Sequence, residues 1–96
     1  MTRPSATSPT RSDLRQLMTI PGVGSSIAAD LWGLGVRSVQ QLRKRNPETL
    51  YARLNAQAGR PVDRCVLYVF RCAVYYASHR RHHPSLLLWW NWKDRR

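Results

Sequence analysis

A short run near the start of the chain combines apolar, proline, glycine and hydroxyl residues in a spacing that favours anion binding. The run is Ile20-Pro21-Gly22-Val23-Gly24, followed by Ser25 and Ser26. Pro21 disfavours helical backbone angles at Ile20 and so ends one helix, whereas helical apolar spacing resumes after Ser25. The first amide N–H groups of a helix lack partners within it, and the helix dipole is positive at that end. We therefore predict a phosphate-binding site at the start of the second helix.

Each small or apolar residue of this run has a predicted structural role. Gly22 and Gly24 are expected to allow backbone angles or a close approach that a Cβ atom would block. Val23 is expected to insert between the two helices, and Ala28 to let them cross closely. Contacts made only through backbone N–H groups read no base edge, so binding to nucleic acid through this site would be independent of sequence.

The overall charge also points to a polyanion. The 96 residues include 16 Lys and Arg but only 5 Asp and Glu, which gives a formal net charge of +11 at pH 7. A small basic domain typically binds nucleic acid or an anionic membrane surface. The strong bias to Arg has an alternative origin in genomic coding composition, and cations at a helix end also complement the helix dipole. Six basic residues are predicted to widen the phosphate-contact surface: Arg37, Arg43, Lys44, Arg45, Arg60 and Arg64.

Enzymatic and metal chemistry are disfavoured by the remaining reactive residues. Cys65 and Cys72 lie seven positions apart on one predicted helix, so their Cα atoms should be ~10.5 Å apart, too far for a disulfide bond. His79 and His83 have the spacing of a metal-chelating pair, but no carboxylate or thiol close in sequence completes a site, and a solvated basic turn is the preferred interpretation. We predict no catalytic residue, no metal and no cofactor. The carboxylates are scattered singly: Asp13, Asp30, Glu48, Asp63 and Asp94.

The apolar pattern predicts an all-α protein of five to six short helices. Residues 1–11 are rich in Pro, Ser and Thr and are predicted to be a flexible basic arm, followed by one domain over residues 12–96. Hydrophobic residues make up 43% of the chain, which is enough for a packed core. The predicted helices are 12–18 with Ser12 as N-cap, 25–34 with a Gly35 C-cap, one from Ser38, one from Pro47 to Gly59, 61–78, and a short one after Pro84.

The last predicted elements are the most apolar. The helix over 61–78 is apolar nearly all round, as expected of a central helix, although Arg64 and Arg71 argue against a membrane span. The tail over 84–96 contains Trp89, Trp90 and Trp92. We predict that the tail packs on the core. Docking to a partner protein, stacking on exposed bases and contact with a lipid interface are alternatives.

Two levels of resemblance support this interpretation. The hairpin with its preceding helix and the following LGVRSVQQL resembles a helix-hairpin-helix motif. Over most of residues 14–94, the order of IPGVG, LGVRSV, an Asn-Pro-Glu helix start, DRCVLYVFRCAVYYA and WWNWKD resembles small bacterial proteins labelled "pathogenicity locus" or "mitomycin resistance protein". The resemblance implies a SAM-like helical domain without a defined catalytic site. DNA-binding hairpins often carry Lys after the second glycine, whereas this chain has Ser25, which implies weak binding.

The function that these observations favour is non-enzymatic, sequence-independent DNA binding, with a link to DNA damage or repair. The alternative is a protein-interaction module with a purely structural hairpin, which would dock through the tail tryptophans or the helix over 61–78. No apolar run approaches the ~20 residues of a membrane-spanning helix, and the first residues lack the apolar segment of a secretory signal. We therefore expect a cytoplasmic protein with no membrane partner.

Overall fold

The fold was described from a computed structural model, which describes residues 10–94. Within that range the protein is all-α, as predicted, with no β-strand. Four α-helices, α1 (Arg11–Met18), α2 (Ser25–Gly33), α3 (Pro47–Ala58) and α4 (Cys65–Ser78), are joined by short connections. Residues 1–9 of the predicted arm and residues 95 and 96 lie outside the described residues. None of the helices in 10–94 is both long enough and apolar enough to cross a membrane.

Helix α1 begins earlier than predicted because its N-terminus is closed by a capping box. The N-cap is Thr10 rather than Ser12: the Thr10 Oγ1 accepts the Asp13 N–H at 3.1 Å, and the Thr10 N–H donates to Asp13 Oδ2 at 2.8 Å. The reciprocal pair satisfies two free donors at once. Ser12 lacks such an option, since the residue three positions on is Arg15.

Helix α2 ends one residue before its predicted end, with Leu34 as its C-cap and Gly35 directly after it. Gly35 has a φ of +92°, and its N–H donates to Trp32 O at 3.0 Å. The Val36 N–H donates to Leu31 O at 3.0 Å, and the Val36 side chain is fully buried. These bonds form the glycine-capped helix end in which an apolar residue contacts the last turn.

Two predicted helices differ from the structure. The third is only a 3₁₀ turn over Gln40–Leu42, because Lys44 adopts a left-handed φ of 57° and α3 begins three residues later. The helix predicted from residue 61 begins at Cys65, whose N–H donates to Asp63 Oδ1 at 2.8 Å. Residues 61–64 form a connection instead, in which the Val62 N–H is held by the side chain of Asn55 at 2.7 Å.

In place of a sixth α-helix, the tail contains two 3₁₀ turns, Pro84–Leu87 and Trp89–Trp92. Both pack along α4. Helix α4 also packs against α3 and contributes the fully buried Phe70 to the core. The core thus lies where α1, α2 and α3 meet α4, and its fully buried larger side chains are Leu17, Ile20, Leu31, Val36, Leu42, Leu50 and Phe70.

Candidate nucleic-acid interface

The hairpin (residues 20–24) is held by its apolar members and leaves its polar backbone at the surface. Ile20 and Val23 are 1% and 5% exposed, and the Val23 N–H donates to Ile20 O at 3.0 Å to close the turn. Ala28 is fully buried where α1 and α2 pack together. Pro21 is half-buried, whereas Gly22 and Gly24 are exposed. The buried Ile20 and Val23 side chains therefore fix the backbone of the turn, while the backbone at Gly22 and Gly24 is accessible to solvent.

The two glycines differ in what they require. Gly22 has a φ of +86°, and a Cβ atom there would lie 3.2 Å from Trp89 Cδ1, so both backbone and packing favour glycine. Gly24 has a φ of −95°, and a Cβ atom there would have no neighbour within 4 Å. The prediction that Gly24 is needed for an unusual backbone or a close approach is wrong, since its conformation is ordinary extended backbone.

The start of α2 presents the free donors that the sequence predicts. Gly24 is the N-cap and brings no side chain, and the first N–H bonded in the helix is that of Ala28, which donates to Gly24 O at 2.9 Å. Within residues 10–94, the N–H groups of Ser25, Ser26 and Ile27 have no acceptor. The first turn also contains no acidic residue. Helix geometry directs these three N–H groups out of the N-terminal end, where an anion is favoured.

Arg11 is a further candidate that sequence reasoning missed. Together with Leu14 and Met18 it lines a groove of about 570 Å³ that reaches Ser25 at the start of α2. The positions 11, 14 and 18 share one helical face, and that spacing was the available signal. The flexible arm predicted over residues 1–11 includes Arg11, whereas the structure makes Arg11 the first residue of α1.

The structure places the predicted cations of residues 37–45 away from the hairpin donors. The Arg37 guanidinium lies 4.0 Å from the ring centroid of Trp32, at the opposite end of α2, and α2 is about 13 Å long at 1.5 Å per residue. Arg43 lines a separate depression of about 450 Å³ with Arg80. The Lys44 N–H donates to Ser78 Oγ at 2.8 Å, and both its side chain and that of Arg43 are exposed. Half-buried Arg45 donates to Gln41 O at 3.4 Å.

Of the three cations in the α3–α4 connection and α4, Arg64 and Arg71 are in ion pairs, although the Arg64 side chain is still 53% exposed. Arg60 is exposed. Arg64 Nε donates to Asp94 Oδ2 at 2.6 Å, and Arg71 Nη2 lies 2.9 Å from Asp94 Oδ1. The hydrogen bond from Arg64, reinforced by those from Arg71 and Tyr68, holds the pKa of Asp94 well below its ordinary value despite partial desolvation. The Arg64 guanidinium therefore already has an anionic partner.

Arg71 lies at the centre of this ion-pair cluster (Glu48, Arg64, Arg71 and Asp94). Its Nη2 is 3.0 Å from Glu48 Oε2, and its Nη1 donates to Trp92 O at 2.7 Å. The Arg71 side chain is 18% exposed. The cluster thus joins the start of α3, the middle of α4 and the tail, and its charges are matched within the protein.

The histidine-rich turn is largely exposed, as predicted, and its histidines also make local contacts. His82 stacks on Tyr76 with ring centroids 4.9 Å apart, and its Nε2 is 2.8 Å from Tyr76 O. His79 Nδ1 lies 3.1 Å from Tyr75 O, and the His83 N–H donates to the Tyr75 hydroxyl at 2.8 Å. Across residues 10–94, no three His, Cys, Asp or Glu side chains are grouped as a metal site would need.

The two thiols are free and differ in accessibility. Cys65 is exposed at the start of α4, and Cys72 is buried under the tail with its Sγ 3.5 Å from Leu86 O. Burial raises the pKa of the Cys72 thiol to about 11. Cys72 is therefore protonated and unreactive at neutral pH.

The three tail tryptophans have three different environments. Trp89 packs on the hairpin at Gly22, and Trp92 packs against Tyr75 with ring centroids 5.5 Å apart. The Trp92 Nε1 donates to Leu86 O at 2.8 Å. Trp90 is 49% exposed. Sequence reasoning identified all three residues but not the contact between Trp89 and the hairpin, because no local pattern links positions so far apart.

Comparison with known proteins gives two matches. The family model described as "Pathogenicity locus" matches residues 10–96. A curated relative, "Mitomycin resistance protein McrB" of Streptomyces lavendulae, is 34% identical over 87 residues, which are 91% of this chain and 79% of the relative. No solved structure matches the chain at a significant level.

Proposed function

The chain belongs to the pathogenicity locus family, and we propose that it is a non-enzymatic helix-hairpin-helix protein that binds the DNA backbone without sequence preference. In this proposal α1, the hairpin and α2 form the motif within a SAM-like helical domain. A phosphate oxygen accepts hydrogen bonds from the N–H groups of Ser25, Ser26 and Ile27. A link to DNA damage or repair is part of the proposal and draws on the resistance named for the Streptomyces relative.

The observation that carries the proposal is the unsatisfied start of α2. Three N–H groups have no acceptor within residues 10–94, yet the hairpin that presents them is fixed by the buried Ile20 and Val23. A rigid set of free donors at the positive end of a helix is suited to a phosphate oxygen. The hydroxyl groups of Ser25 and Ser26 are exposed beside these donors and add further hydrogen-bond capacity.

Charge supports DNA as the anion, although few cations lie at the hairpin itself. The net charge of +11 favours any polyanion over a single small anion. Arg11 lines the groove that reaches Ser25, whereas Arg37, Arg43 and Lys44 lie farther along the surface. Ser25 brings no charge of its own. We therefore expect weak binding through a few phosphates, with a dissociation constant in the micromolar range or higher.

The test is fluorescence anisotropy with labelled duplex DNA over a salt series. Contact with a few phosphates predicts a slope of log K against log salt of roughly −2 to −5. The decisive variant is Gly24→Asp. The backbone at Gly24 accepts any residue and its Cβ position is open, so the fold should be retained. The carboxylate of an Asp at this N-cap accepts hydrogen bonds from the same N–H groups and repels phosphate, so DNA affinity should fall at least tenfold. Helix stability should be unchanged or increased.

Gly24→Asn is the matched control for the charge. The Asn side chain can cap the helix but is neutral, so its effect on binding should lie between those of glycine and aspartate. Binding of Gly24→Asp that equals that of the unmodified protein, with an unchanged circular dichroism spectrum, would refute the hairpin site.

A protein-interaction module is the second candidate function, and one surface feature favours it. A groove of about 660 Å³ runs between the start of α3, α4 and the tail, with Val74, Tyr75 and Trp92 among its lining residues. Among its charged groups, Glu48 and Asp94 both pair with Arg71, and Lys93 also lines the groove; aromatic and aliphatic surface is left for a partner. A salt-insensitive complex with a partner protein, together with no DNA binding at low salt, would favour this candidate.

A further inference from the structure

The tail brings an exposed aromatic face next to the hairpin. Trp89 packs against Gly22, with its Cδ1 3.2 Å from the position that a Cβ atom would take if one were added to that glycine. Trp90 meets Trp89 edge to face, with ring centroids 5.8 Å apart and an interplanar angle of 85°. The exposed indole of Trp90 is thus separated from the hairpin by one aromatic ring.

The two residues that follow Trp90 are anchored. The Asn91 side chain donates to Ser85 O at 2.7 Å, and Trp92 is held through its Nε1 bond to Leu86 O. Arg71 donates to Trp92 O at 2.7 Å. Trp90 is therefore presented on a fixed turn, so little side-chain and backbone freedom would be lost when it binds a flat ligand.

The environment of each tail tryptophan identifies Trp90 as the one available for stacking. Trp89 packs against Gly22, and Trp92 packs against Tyr75 and donates its Nε1–H to Leu86 O. Trp90 has 49% of its surface exposed, an unusual fraction for the largest apolar side chain. The exposed indole can stack on a flat ligand, and the net charge of +11 favours a ligand that is anionic.

We propose that Trp90 stacks on an unpaired nucleobase while the start of α2 holds a nearby phosphate of the same strand. The preferred ligand is then single-stranded nucleic acid, or a frayed end, rather than the interior of a duplex. The faces of paired bases are covered by their neighbours, so only an unpaired base offers a free face to an indole. Every base has such a face, so the contact adds affinity without sequence preference. This inference rests on the proposed function, since it uses the same hairpin donors.

The experiment compares three fluorescein-labelled probes of about 12 nucleotides, a length within the range of single-strand binding sites. The probes are oligo(dT), a blunt duplex, and an abasic strand that keeps the phosphates but lacks bases. The unmodified protein should bind oligo(dT) more tightly than either of the others. Its tryptophan fluorescence should be quenched by oligo(dT) and not by the abasic strand.

Trp90→Ala should weaken binding of oligo(dT) by roughly 5- to 100-fold, the range that loss of one base–aromatic stack produces. The same variant should change binding of the duplex and of the abasic strand less than twofold. Trp90→Phe keeps an aromatic face and should retain most of the preference for oligo(dT). Leu88→Ala is the matched control, because Leu88 is 40% exposed two residues away and has no aromatic face.

The outcomes separate this inference from the proposed function. Equal affinity of the unmodified protein for all three probes, or an equal loss on all three in Trp90→Ala, overturns base stacking and leaves the backbone site standing. Loss of all binding in Gly24→Asp combined with the selective loss in Trp90→Ala supports both. Absence of binding to every probe at low salt overturns both.

Discussion

The hairpin and the ion-pair cluster differ in how their polar groups are partnered. At the hairpin, the apolar residues are buried and three backbone donors have no partner within residues 10–94. In the cluster, the single side chain of Arg71 contacts three partners, which are Glu48, Asp94 and the carbonyl of Trp92. Unmatched donors on a rigid frame are what a binding site requires, whereas matched charges serve stability.

The largest expected effect comes from breaking the matched region. Arg71→Ala removes three polar contacts of a side chain that is only 18% exposed and leaves Glu48 and Asp94 without it. We expect a loss of about 2 kcal/mol in the free energy of unfolding, measured by urea denaturation. Arg60→Ala is the control, since Arg60 is exposed in the adjacent connection and its removal should cost less than about 0.5 kcal/mol. Equal stability of the two variants would show that the cluster does not anchor the tail.

Cysteine labelling reports the same change locally. Iodoacetamide at pH 8 should modify the exposed Cys65 and leave Cys72 intact in the unmodified protein, because Cys72 is buried with its pKa raised to about 11. In Arg71→Ala the tail opens more often, so Cys72 should be modified faster, and the change at Cys65, which is already exposed, should be smaller. The modification of each cysteine is measured by mass spectrometry. Rapid modification of Cys72 in the unmodified protein would contradict the packing of the tail described above.

A smaller effect is expected where the tail meets the hairpin. Gly22→Ala places a Cβ atom at a φ of +86° and 3.2 Å from Trp89 Cδ1. Left-handed strain on a residue other than glycine should destabilise the fold by about 1–2 kcal/mol, and tryptophan fluorescence should shift as Trp89 moves. Gly24→Ser is the paired control: its backbone is unstrained and serine is a good N-cap, so stability should be unchanged or slightly higher. Similar stabilities for both variants would refute the distinction between the two glycines.

The smallest effect concerns pH. The pKa of Asp94 is lower in the folded protein than in the unfolded chain, so its pairing stabilises the fold above the ordinary Asp value of about 3.9 and is lost as the pH falls through the folded value. Melting temperatures between pH 5 and pH 2 should decrease more in the unmodified protein than in Asp94→Asn. The difference should be modest because Asp94 is partly solvated. Identical acid dependence in the two proteins would exclude Asp94 as a contributor.

Sequence reasoning predicted those parts of the molecule that depend on near neighbours. The glycine-capped end of α2 at Gly35, the start of α3 at Pro47 and the burial of Val23 all follow from patterns a few residues long. The N-cap of α1 was missed by two residues, because Ser12 also has a favourable side chain and only the partner Asp13 decides between them.

The remaining features depend on contacts between distant segments. Arg64 and Arg71 look alike as surface cations in the sequence, and only the folded tail shows that both pair with Asp94. Likewise, Arg37 is close to the hairpin in sequence but is stacked on Trp32 at the opposite end of α2. Charge patterns identify which residues are basic, but tertiary packing determines which of them are available to a ligand.

The contact between Gly22 and Trp89 also has a consequence for the order of folding. Helices α1 and α2 can pair as soon as they are synthesised, since their contacts are local. The covering of Gly22 requires closure of a loop that contains α3 and α4, so it forms late and only when the chain is made through the tail. A nascent or proteolytically shortened chain that lacks Trp89 would therefore form the hairpin without this contact and without the packing of the last 3₁₀ turn on α4.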